Sequence, residues 1–201
     1  QRQMCIRDSI KTIGSGTITL NGVNAGSDWS GLMFDVAGTN RLTTVNGSIS
    51  VTGDGGSGNR GIAFHQGTIS LISTTGSVTL TGSNSHASLS AIEVGTGAAT
   101  TVNVGYDGGA SSTATTGNIT INGQSGGTSG IYLGDGSTKN TYIKGAGSTV
   151  TIGDNGNALG AVTLNSGLAV ASGSFKSFTI GGINTSGVTV NTALTTNSAA
   201  D

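Results

Sequence analysis

A strand-like motif returns about every thirty residues along this chain. Gly16-Thr17-Ile18-Thr19-Leu20-Asn21-Gly22 reappears as Gly47-Ser48-Ile49-Ser50-Val51-Thr52-Gly53, as Gly76-Ser77-Val78-Thr79-Leu80-Thr81-Gly82 and as Gly117-Asn118-Ile119-Thr120-Ile121-Asn122-Gly123. A looser copy is Ser148-Thr149-Val150-Thr151-Ile152-Gly153. The first apolar positions, 18, 49, 78, 119 and 150, are separated by steps of 31, 29, 41 and 31. The long step is one repeat carrying an insertion, and Tyr106 to Thr116 reads as the extra loop. Fixed-period self-similarity of this kind marks a repeat architecture in which each unit is too small to bury its apolar face alone.

Each unit holds two further alternating segments. The second is Gly31-Leu32-Met33-Phe34, Gly61-Ile62-Ala63-Phe64, Ala91-Ile92-Glu93-Val94, Gly130-Ile131-Tyr132-Leu133 and Ala161-Val162-Thr163-Leu164. The third, less regular, is Leu42 to Val45, Ile69-Ser70-Leu71, Val102-Asn103-Val104, Tyr142-Ile143 and Leu168-Ala169-Val170. Apolar residues alternate with small polar ones at period two, which is the pattern of a half-buried strand. No stretch keeps helical spacing, and the 37 glycines of this 201-residue chain disfavour helix.

Three short strands per thirty residues describe one coil of a right-handed parallel β-helix, an all-β solenoid of about five to six coils. Stacking would align Ile18, Ile49, Val78, Ile119 and Val150 in one interior column, with Leu20, Val51, Leu80, Ile121 and Ile152 in the next. Coils would lie about 4.8 Å apart. Thr19, Thr79, Thr120, Thr151 and Thr163 fall on the solvent side of the strands, where β-branching favours extended backbone. Gly and Asn at strand ends are expected to supply the positive φ angles of the bends. A disordered Gly/Ser chain would not keep five phased triplets, and an antiparallel sandwich would not need a near-constant step.

Composition narrows the function. Only 8% of residues are charged and the formal net charge is −1, so nothing provides the basic excess that nucleic acid requires. No apolar run is long enough for a transmembrane helix, and a single Cys cannot form a disulfide framework. Residues 1–9, QRQMCIRDS, are unlike anything after them. They resemble the translation of a transposon-end adapter used in preparing sequencing libraries, and are set apart from the fold. The domain organisation is thus a tail at 1–9 and one β-helix segment at 10–201. The segment is read as an open-ended piece of a longer repetitive protein.

Candidate chemistry is sparse. The acidic residues of the repeat region are Asp28, Asp35, Asp54, Glu93, Asp107, Asp135, Asp154 and Asp201. Most fall at turns, where a carboxylate bonds nearby backbone N–H groups. Register stacks no carboxylate pair of the kind glycoside hydrolysis uses. The sharpest cluster is Asp35 with His65, expected to be neighbours because Phe34 aligns with Phe64. Arg60 stands just before the same strand, and His86 lies in the loop of the next coil. A structural contact is the expected role. The loops Gly53 to Asn59 and Tyr106 to Gly109 each offer one carboxylate, too few for a specific calcium site. Trp29, Tyr106, Tyr132 and Tyr142 are scattered rather than arrayed as a sugar-binding strip. The reading therefore assigns no catalytic, cofactor-binding or metal-ligating residue and expects no enzyme activity.

The Gly117 to Gly123 motif followed by Gly130-Ile131-Tyr132-Leu133 resembles the repeats of filamentous-haemagglutinin-like exoproteins and autotransporter passengers. The resemblance covers about residues 14–190 and lies in the GxITLxG and GIxL strands. It implies a bacterial surface or secreted β-helix stalk, exported by an outer-membrane barrel. The implied partners are a host-cell or matrix surface, glycans or like chains. The alternative is a piece of a β-helix carbohydrate-active enzyme or phage tailspike. An amyloid-type fibre subunit is a third reading. Gly187-Val188-Thr189-Val190-Asn191 reads as one more strand running into an open end. Uncapped strand edges are expected to make the segment aggregate or stack end to end.

Overall fold

The computed structural model describes residues 9–24, 26, 29–109, 113–125, 130–135, 137–153, 162–164, 168–170, 175–181 and 188–190. Residues 1–8 of the adapter-like tail lie outside them, as do Asp28, Asp154 and Asp201. Every described element is a strand. In chain order these are β1 (Ile10–Lys11), β2 (Ile18–Val23), β3 (Leu32–Thr44), β4 (Ile49–Asp54), β5 (Ile62–Ser73), β6 (Val78–Asn84), β7 (Ile92–Val94) and β8 (Thr100–Val104). They continue as β9 (Ile119–Ser125), β10 (Ile131–Tyr132), β11 (Lys139–Ile143), β12 (Thr149–Ile152), β13 (Val162–Leu164), β14 (Leu168–Val170), β15 (Ser177–Ile180) and β16 (Val188–Val190).

Every pairing is parallel and joins strands one coil apart. The first strands stack as a six-stranded sheet in the order β15-β12-β9-β6-β4-β2, and the second and third strands share a ten-stranded sheet. The result is a β-solenoid of about four turns. That is fewer than the five to six expected from the repeat. Four coils are described through most of their length; a fifth shows its three strands, β12, β13 and β14, and a sixth shows β15 and β16. Beyond Gly153 the ladders continue only as separate rungs, because 154–161, 165–167 and 171–174 lie outside them. A second departure concerns strand number. In the first two coils the second and third strands are one continuous strand, β3 of 13 residues and β5 of 12, whereas the next two coils keep three separate strands.

The interior columns are those the repeat dictates. Ile18 pairs with Ile49, Ile49 with Val78, Val78 with Ile119 and Ile119 with Val150; Leu20, Val51, Leu80, Ile121 and Ile152 follow two residues later. All ten side chains are buried. On the second face Leu32, Ile62, Ile92 and Ile131 stack in register, and the Phe34 and Phe64 rings lie parallel with centroids 4.9 Å apart. The third face adds Leu42, Leu71, Val104 and Ile143. Burying each such side chain contributes about 1.5–3 kcal/mol, which is what drives coil onto coil.

The corners are held by polar residues. Between the first and second faces, the Asn84 Nδ2 group donates to the carbonyls of Leu89 and Ser90 at 3.1 and 3.0 Å, and Asn24 donates to the carbonyl of Trp29. Between the third and first faces, the hydroxyls of Ser73 and Ser148 donate to the carbonyls of Gly47 and Thr115 at 2.7 and 2.9 Å. Both side chains are fully buried. These bonds satisfy backbone carbonyls that leave the ladder at each bend.

The recurrent glycines work differently from the expectation. Among the described residues no non-glycine has positive φ, so no described Asn supplies a bend in this way. Nor do the motif glycines Gly47, Gly53, Gly76, Gly82, Gly117 and Gly123. What they provide is close approach. A Cβ on Gly82 would stand 2.5 Å from the Ala91 carbonyl oxygen and 2.6 Å from Ile92 Cγ1. On Gly76 or Gly117 it would strike the backbone of the equivalent glycine one coil back. Positive φ is instead found at glycines that follow strands, such as Gly95 (φ 88°) and Gly105 (φ 87°).

Candidate functional site

The Asp35–His65 pair does not form. Phe34 aligns with Phe64 as expected, but the register shifts immediately afterwards and Asp35 pairs with Gln66. The Asp35 carboxylate accepts a 2.7 Å hydrogen bond from Gln66 Nε2. His65 Nδ1 lies 2.8 Å from the Thr96 hydroxyl, and its ring covers Gly97, where a Cβ would collide with it. Only the net offset of the two coils was readable in the sequence. Phe34 and Phe64 stand in one column and Leu42 and Leu71 in another, and the first coil has one more residue between them. Two irregularities of opposite sense make up that offset: β5 skips His65 between Phe34 and Asp35, and β3 then spends two more residues than β5 before Thr39.

Arg60 turns to the next coil instead of to His65. Its Nε and Nη2 groups donate to the two Glu93 oxygens at 2.6 and 3.1 Å. Both side chains are about one-fifth exposed, so this bidentate clamp contributes on the order of 1 kcal/mol to the coil-to-coil contact. His86 bonds locally, its Nδ1 accepting from the Ser88 backbone N–H at 3.1 Å. The described turn carboxylates behave as their positions imply. Asp54, Asp107 and Asp135 each accept a 2.9 Å bond from the backbone N–H two residues on. Those bonds, the one from Ser137 foremost, hold the Asp135 carboxyl below its ordinary range. Among the described residues no group of three or more His, Cys, Asp or Glu could hold a metal.

The arrangement that sequence reasoning missed lies on the third face. The insertion leaves the coil after β8, as expected, and re-enters where the Thr115 N–H donates to the Gly105 carbonyl at 2.8 Å. Its described residues at both ends pack back toward the sheet. Tyr106, placed in an open loop by the sequence, is buried, with Lys144 Nζ 5.6 Å from its ring centroid. Burial, reinforced by Tyr142 and Asp107, pushes its phenol above the usual value. Ser70 and Asn103 point outward from the sheet yet are buried. Asn103 Nδ2 donates to the Ser70 hydroxyl at 3.1 Å, and Ser70 in turn reaches the Asp107 carbonyl at 3.5 Å. Gly108 packs so closely that a Cβ there would lie 2.7 Å from Asn103 Nδ2.

Asp107, Gly109 and Thr113, described residues of the insertion, wall a groove of about 700 Å³. Its floor is the outer face of three successive rungs, carrying Lys11, then Arg41 and Thr43, then Ile72 and Thr74; Asp107 and Thr113 belong to the insertion. The signal that could have found it was Ser70 and Asn103, polar residues beside an unusually long connection.

No protein-family model matches the chain, and comparisons with curated proteins and with solved structures find no match either.

Proposed function

We propose that this chain is a structural, adhesive stalk segment of a bacterial surface-exposed or secreted exoprotein, of the filamentous-haemagglutinin-like or autotransporter kind. Its work is to hold a distal or lateral binding region away from the cell. The observation that carries the reading is the unbroken parallel ladder of β2, β4, β6, β9, β12 and β15. Each rung adds about 4.8 Å along the axis. The same apolar pair is repeated at each level from β2 to β12. A solenoid of this kind grows by repetition without redesign of its core, as a spacer requires. On this reading the chain takes no part in catalysis, and it meets host surfaces, matrix, glycans or like chains after export through an outer-membrane barrel.

The test is the natural gene on both sides of this segment. A long run of the same repeats, with a secretion signal and an export barrel or its partner, supports the stalk. A short β-helix with a carboxylate-rich coil, or phage structural genes alongside, would replace it with a carbohydrate-active enzyme or a tailspike. Reducing-sugar release from a polysaccharide panel would do the same.

A further inference from the structure

From the groove on the third face we infer a binding site for a short acidic oligosaccharide, one whose sugars carry carboxylates. The inference does not rest on the stalk reading, since the groove is built by the insertion whatever the whole protein does.

The charges come first. Lys11 pairs in the ladder with Thr43, two residues beyond Arg41. The two cations therefore stand on the same outer face of adjacent rungs. Both are exposed, and neither has an ion-pair partner among the described residues. This matters in a chain with so few charges, where three of the other four described Lys and Arg residues are engaged, Lys176 beside β15 being the exception. Arg60 clamps Glu93, Lys139 is near Asp135, and Lys144 lies over Tyr106. Like charges on adjoining rungs of one sheet face repel each other, more weakly on the diagonal, as here, than directly opposite. An anion between them would remove the repulsion and gain charge-assisted hydrogen bonds.

The rest of the lining specifies what carries the anion. Thr43, Thr74 and Thr113 present hydroxyls that both donate and accept, and the Asp107 carboxylate accepts. That set suits a polyhydroxylated molecule. Ile72, half-buried on the floor, offers an apolar patch for a sugar's C–H face. The volume lies within the range of small-molecule sites. The groove runs across three rungs, so it takes an elongated ligand. A peptide fits less well. Peptides gain affinity by adding a strand to an open edge; the outer edge of β3 is met by β1 at Leu42 and Thr43, but the groove is floored by outward side chains of the sheet face.

The described ends of the wall are held in place. The insertion is tied at its start by Tyr106 against Lys144 and by Asp107, whose carbonyl accepts from Ser70, and at its return by Thr115 on Gly105. Little ordering is then paid on binding.

The test is calorimetric titration of the intact chain with a linear tri-uronate, its neutral methyl ester and a penta-glutamate peptide. Saturable binding of the tri-uronate is expected, with the ester about tenfold weaker or more. In the double variant Lys11→Gln/Arg41→Gln the tri-uronate should weaken by a similar factor. Lys176→Gln, a cation outside the groove, should leave it unchanged. Both variants alter exposed side chains, and circular dichroism confirms that they fold. Failure of the tri-uronate to saturate would overturn the site. Equal binding of the ester, or equal weakening by Lys176→Gln, would overturn the role of the two cations. Penta-glutamate binding as tightly as the tri-uronate would overturn the saccharide assignment.

Discussion

Replacing Gly82 with alanine should test whether the repeat glycines serve close packing or backbone conformation. Gly82 sits in β6, paired with Gly53 below and Gly123 above, and its φ is not positive. Alanine therefore meets no conformational penalty there, and the whole effect is steric. The new Cβ would lie 2.5 Å from the Ala91 oxygen, 2.6 Å from Ile92 Cγ1 and 2.9 Å from the Ala91 carbonyl carbon. Ordinary contact begins near 3.4 Å, so the corner must open by roughly 0.9 Å. The Ala91 carbonyl accepts the Ile62 N–H at 2.8 Å, and a shift of that size would take the bond out of range. Overpacking at about 1–3 kcal/mol and one lost hydrogen bond at about 1 kcal/mol give an expected cost of about 3 kcal/mol. With a urea m-value of about 2 kcal/mol/M, the unfolding midpoint falls by about 1.5 M. The comparison is Gly14→Ala. Gly14 has φ 73° and nothing within 4 Å of a built Cβ, so that change should cost about 1 kcal/mol from left-handed backbone alone. Urea titration followed by far-ultraviolet circular dichroism reads both. If Gly82→Ala costs no more than Gly14→Ala, the steric account of the motif is wrong.

Thr141 lies in an interior column between Val102 and Leu168, and its buried hydroxyl has no hydrogen-bond partner. Thr141→Val should raise stability by about 1 kcal/mol, read as a higher urea midpoint; an unchanged or lower midpoint would show that the hydroxyl is satisfied. Tyr106 gives a pH signature. Its phenol is raised by burial, then by Tyr142 and Asp107, so the folded state holds the proton after the unfolded chain has lost it. The associated stability is complete below the unfolded value near pH 10 and is lost as pH rises through the folded one. Tyr106→Phe should flatten the fall in melting temperature between about pH 9 and 12; an unaltered slope would mean that Tyr106 does not titrate with unfolding.

The ladder was legible because its information is periodic. Ile49 and Val51 face inward for the same reason as Val78 and Leu80, and five copies of one pattern outweigh any local ambiguity. What escaped was whatever breaks the period. Asp35 was placed by extending the Phe34–Phe64 register one residue too far, although the Phe-to-Leu count already demanded a bulge before Leu42. Strand-end glycines such as Gly95 and Gly105 do carry the expected positive φ, but the motif glycines do not and serve close approach instead. Composition cannot distinguish a glycine that bends the chain from one that admits a neighbouring carbonyl. The fusion of second and third strands in β3 and β5 was likewise invisible, because both halves carry the same alternation whether or not a corner interrupts them.

The insertion shows why departures from the period are the places to look for function in a solenoid. A residue in the middle of a coil's strand is bonded to rungs on both edges, as Val102 is between Ile69 and Thr141. Additional chain cannot enter there without parting two ladders. It enters at a corner, after Val104, where the strand has already ended. Once outside, it must satisfy its own backbone groups, and the nearest polar partners are the outward side chains of the adjoining face. Ser70 and Asn103 meet that need. The cover they receive ends one coil short of Arg41, so the exposed part of the same face becomes the floor of a groove and the insertion becomes its wall. The repeat thus supplies a rigid surface of uniform chemistry, and a single break in the repeat gives that surface a shape a ligand could recognise.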